Sequence, residues 1–80
     1  MKFTEYFKYR HAAPDRDWIE VEWIQRVMMN PEWETIQSDG RIRRWARISE
    51  ANNKWLRVVI LPDGETVHNA FFDRSFRKPD

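Results

Sequence analysis

The chain has 80 residues, 34% charged and 41% hydrophobic, with no cysteine and a formal net charge of +1. The missing cysteines exclude disulfides and thiolate metal sites and make the cytoplasm the default compartment, and the ordinary charge balance excludes a disordered chain. Eighty residues allow a single domain, 1–80, with one modest core, so the five Trp and five Phe, each able to bury roughly 150–250 Å², carry much of the burial.

In chain order, the opening MKFTEYFKYRH mixes charge with aromatics and offers no apolar run for a signal peptide. Nowhere do about 18 apolar residues run together, so no contact with a membrane is expected. Residues 1–16 read as a strand or short helix followed by a loop. Asp17 followed by Glu20 forms an acidic capping box that starts a helix over 17–29. Ile24, Val27 and Met28 give it an apolar stripe, widened by Trp23 and by either Ile19 or Val21, and Asn30-Pro31 ends it. Asp15, Asp17, Glu20 and Glu22 complement the helix dipole, a role that outweighs paired catalytic acids.

After Pro31 the period changes to two. Strands are expected at Glu32–Gln37, Arg41–Ser49, Lys54–Leu61 and Glu65–Phe72, separated by the turn sequences SDG, EANN and PDG. The expected fold is α+β: one principal amphipathic helix followed by a four-stranded antiparallel meander over 32–72, with 76–80 as a loose tail.

Residues 1–40 hold five Lys/Arg against eight Asp/Glu, whereas residues 41–80 hold nine against five. One acidic and one basic face follow, and a basic face attracts polyanions. Four of the arginines lie in "GRIRRWAR", residues 40–47. Strand alternation sorts Ile42, Arg44, Ala46 and Ile48 to the core side, together with Leu56, Val58 and Ile60. Arg43, Trp45, Arg47, Trp55 and Arg57 are left on the open side. Such a face can bind single-stranded nucleic acid, guanidinium groups on phosphates and Trp rings under bases. It reads equally as the solvated side of a hairpin, with Arg stacked on Trp.

His11 and His68 are the only imidazoles and hence the candidate proton carriers near neutral pH. Their separation has no metal-ligand spacing, and neither a metal nor another cofactor is expected. P-loop, GxGxxG, GxSxG and HExxH motifs are absent, and Ser38, Ser49 and Ser75 fall at turns or strand edges.

The segments "GRIRRWARI" and "KWLRVVILPDGETVHNAFFDR", after a helix ending in "NP", resemble short bacterial domains of the RelE/ParE-like toxin superfamily, including its BrnT-like branch. The resemblance spans about residues 10–74. It implies a RelE-like fold whose open sheet face binds and cleaves RNA without a metal and is blocked by an antitoxin. On that resemblance Arg43, Arg47 and Arg57 hold phosphate, Arg74 matches the arginine after the last strand, and His11 or His68 handles protons. A non-catalytic module binding protein or nucleic acid through the same face is the competing expectation.

Overall fold

The computed structural model describes residues 1–79. The fold is α+β, with two helices and a five-stranded mixed sheet. In chain order the elements are β1 (Lys2–Phe3), α1 (Glu5–His11), α2 (Val21–Met29), β2 (Trp33–Ile36), β3 (Ile42–Ile48), a 3₁₀ turn (Ser49–Ala51), β4 (Lys54–Ile60) and β5 (Thr66–Phe72). The spatial order is β1-β5-β4-β3-β2. Strands β2 to β5 form the antiparallel meander that the turn sequences predict, and β1 lies parallel to β5, Lys2 beside Thr66 and Phe3 beside Val67.

Residues 1–16 supply both a strand and a helix. Helix α1 starts where the Thr4 hydroxyl accepts from the Phe7 amide at 3.0 Å, with Glu5 in the first turn and Lys8, Arg10 and His11 in the last, each suited to the helix dipole. The second helix begins four residues later than expected. Glu20 takes the capping position without a side-chain cap, and the Asp17–Glu20 capping box does not form. Backbone bonds from Arg16 and Asp17 to the Ala13 carbonyl, both 2.9 Å, turn the chain away from a helical path. That route buries Ile19 in the core and lays Trp18 on Phe72, burial that a helix beginning at Asp17 would forgo.

The core lies between the helices and one sheet face, built on Phe7, Ile24, Val27, Ile48, Leu56, Val58, Ile60 and Val67. Ile19 rather than Val21 completes the α2 stripe, Val21 being exposed. Asn52 and Asn53 both take left-handed φ, near 58° and 57°, in the turn from β3 to β4, where Asn tolerates that geometry. On the opposite face, which carries the site, Trp45 and Val59 are also buried.

One irregularity positions a candidate residue. Val59 pairs with Asn69 and Ile60 with Val67, so His68 is the extra residue of a β-bulge. Bulges re-aim side chains, and this one brings His68 to the outer face beside Asn69.

Candidate functional site

The outer face is more self-occupied than the alternation suggests. Trp45 is 5% exposed, and its indole N–H donates to Asp73 Oδ2 at 3.1 Å. Phe76 stacks on the Trp45 ring at 4.6 Å and 16° and meets Trp55 edge-on at 4.8 Å. The expected loose tail therefore folds back at Phe76, because two large rings left in water would expose more apolar surface than the turn at Asp73–Ser75 costs to order. Of that tail, Asp80 lies outside the described residues. The correction for Trp45 is that it is a packed residue under a lid, not an open stacking surface.

The arginines divide by their partners. Arg47 forms a two-pronged ion pair with Glu32, with contacts of 2.8 Å and 3.2 Å to Oε1, and lies over Trp55 at 5.2 Å. Glu32 is held below the usual carboxylate range, chiefly by its bond with Arg47. Arg44, on the core side of β3, reaches Glu34 at 2.6 Å and the Met28 carbonyl at 2.9 Å, tying the end of α2 to β2. With the Gln37 amide turned over, its oxygen accepts from Arg43 Nε at 3.3 Å.

Arg57 lies in the middle of this face. Its guanidinium is 5.1 Å from the Phe71 ring centre, 5.6 Å from that of Trp45, and pairs with Asp73 at 3.7 Å. Arg57 Nε is buried and has no hydrogen-bond partner among the described residues. Burial foremost, and then the nearby Arg43, lowers the Arg57 pKa against the pull of Asp73, although a guanidinium stays charged at any working pH. Burial pushes Asp73 upward, but the Trp45 and Ser75 bonds together outweigh it, and the carboxyl ends below its ordinary value.

Arg57 and His68 line the same depression, about 230 Å³, together with Tyr6, Gln37 and Arg41. The imidazole is stacked on Tyr6 at 4.9 Å, and its Nδ1 lies 3.1 Å from the Thr4 hydroxyl. Thr4 thus both caps α1 and orients His68, leaving Nε2 as the nitrogen not committed to Thr4. Burial, and then the positive charge of Arg41, lowers the His68 pKa, so the ring is neutral at neutral pH. A neutral imidazole oriented by a hydroxyl, beside two arginines and a phenol, can accept a proton next to a bound anion.

The other candidates lie elsewhere. His11 stacks on Phe7 at 5.0 Å and lines neither this depression nor the larger cleft on the molecule. Arg74 is exposed on that larger cleft. Among the described residues, no group of three or more His, Cys, Asp or Glu could hold a metal ion, and no helix is long and apolar enough to cross a membrane. Tyr6, Arg41 and Thr4 are site residues that the sequence reading missed. For Thr4 and Tyr6 the signal is the parallel β1–β5 pairing, a contact spanning 64 positions that no local pattern encodes, whereas Arg41 stands just before β3. The chain matches no protein-family model, no curated protein and no solved structure.

Proposed function

We propose that this protein is a metal-independent endoribonuclease of the RelE/ParE-like kind, acting at the depression shared by His68 and Arg57. The observation that carries this reading is the grouping of a neutral, hydroxyl-oriented imidazole with Tyr6, Arg41 and the under-bonded guanidinium of Arg57. His68 takes the proton of an RNA 2′-hydroxyl as its oxygen bonds to phosphorus. Arg41 and Arg57 stabilise the negative charge on the phosphorane, and the 5′-oxygen leaves with a proton from Tyr6. The products are a 2′,3′-cyclic phosphate and a free 5′-hydroxyl, with no oxidant or cofactor consumed.

Arg47, Trp45 and Trp55 act here as scaffold and rim rather than as base-stacking surface, since Glu32 occupies Arg47 and Phe76 the two indoles, and Arg43 stands beside Gln37 at the rim. An antitoxin would act by covering the depression.

The test is incubation of the purified protein with free RNA in EDTA and with ribosome-bound RNA in magnesium buffer, followed by mapping of the cleaved ends. Cyclic phosphate ends, with rates about 100-fold or more lower in His68→Ala and in Arg57→Ala, are expected for loss of a general base or an oxyanion donor. No cleavage of either RNA, or variants as active as the parent, sinks the reading.

A further inference from the structure

The larger concavity lies against the same face, and the proposed chemistry does not use it. It is a cleft of about 600 Å³ between the 15–19 loop and the ends of β4 and β5. Trp18 lines it, stacked on Phe72 at 5.0 Å and 8°, and remains 47% exposed. Trp55 and Phe76 add further ring surface.

The charged groups of the cleft are not equally available. Asp15 is engaged by Arg10 and Arg16 at 3.2 Å and 3.8 Å, and Asp73 by Trp45 and Ser75. Lys54 and Arg74 are exposed and have no carboxylate partner among the described residues. Both line the cleft, Lys54 at the start of β4 and Arg74 in the turn that follows β5, which the Asp73 amide ties to the Trp55 carbonyl at 2.9 Å. Anions in the cleft are therefore satisfied while two cations of its lining are not.

An accessible indole and two unpaired cations lining one cleft suit one planar base carrying a phosphate, and the volume falls within the ordinary range for a small-ligand site. Phe71 lines both this cleft and the His68 depression, so the two concavities share a wall. We propose that the cleft holds one nucleotide of single-stranded RNA, its base against Trp18 and its phosphate between Lys54 and Arg74, next to the phosphate that is cut. The proposal rests on the ribonuclease reading for the identity of the polymer, whereas its binding chemistry is independent of His68.

Titration of the full chain with AMP, adenosine and inorganic phosphate, followed by tryptophan fluorescence and amide chemical shifts, tests it. AMP is expected to bind about tenfold or more tighter than adenosine or phosphate, with shifts at the Trp18 indole N–H and residues 72–76. Lys54→Ala/Arg74→Ala, both surface changes, should remove that preference and leave adenosine binding unaltered. Trp18→Ala should weaken both AMP and adenosine by at least about fivefold, as expected for a lost stacking platform, and Trp18→Phe should restore most of it. An uncleavable 2′-O-methyl adenylate tetramer should bind more tightly than AMP.

Equal affinity for AMP and adenosine, equal affinity for AMP and the tetramer, or shifts confined to Arg41, Val59 and His68 would overturn the proposal. AMP binding in the cleft without any RNA cleavage refutes the nuclease reading and supports the nucleotide site. Cleavage without AMP binding there refutes the nucleotide site alone.

Discussion

Arg57 has two energetic accounts that point in opposite directions. The rings of Trp45 and Phe71 each contribute a cation–π contact, worth about 0.5–1 kcal/mol at partly exposed sites, whereas a buried, unbonded Nε costs about 1–3 kcal/mol. The two nearly cancel, so replacing the pair together, Arg57→Met with Asp73→Asn, is expected to change the stability read from urea unfolding by less than about 1 kcal/mol, in line with isosteric replacement of partly buried ion pairs. A loss above about 3 kcal/mol would make Arg57 a structural residue instead of one kept for a ligand. At His68, burial lowers the folded pKa below the usual imidazole value, so the native state binds fewer protons than the unfolded chain as pH falls. Stability present above pH about 6.5 is lost as pH falls through the folded pKa, and His68→Asn should flatten that part of a thermal-melt pH series. The cleavage rate should fall over the same acid window as the imidazole takes up its proton.

The element that most changes the picture is the segment after β5, which places Phe76 on Trp45 and Trp55. Phe76→Ala is expected to cost about 1 kcal/mol in urea unfolding and to shift tryptophan emission to the red as the Trp45 ring meets water. Unchanged emission and midpoint would show that the ring is not a lid in solution. This segment also marks where sequence reading stopped short. Period-two alternation placed Arg43, Trp45, Arg47, Trp55 and Arg57 on one face, and Trp45 does pair with Arg57 and Arg47 with Trp55 across β3 and β4. Alternation is silent on what arrives from outside the strand, here Phe76 onto the indoles and Glu32 onto Arg47. The start of α2 was misplaced for a related reason: Asp17 and Glu20 satisfy a local capping pattern, but burial of Ile19 and the Trp18–Phe72 stack decide the path. The bulge at His68 changes register by a single residue, and no turn residue announces it.

At the scale of the whole molecule, ion pairs join elements that packing alone would hold loosely. Arg26 on α2 grips Glu50 in the 3₁₀ turn with both guanidinium nitrogens and holds its pKa down to about 2, while Arg47 lowers that of Glu32 at the mouth of β2. Both carboxylates have folded pKa values below their unfolded ones. Their stabilisation is therefore complete above pH about 4.5 and fades as pH falls toward 2. Acid titration followed by circular dichroism should show unfolding steepen below pH about 4.5, and Arg26→Gln should remove part of that slope; identical acid profiles would mean the pair is not formed in solution. The parallel ladder between β1 and β5 has a different reach, because it joins residues 64 positions apart, Lys2 with Thr66 and Phe3 with Val67. Thr4 meets His68 across 64 positions, and closing so long a loop is slow, so the site at His68 is complete only when the most distant contact of the sheet has formed.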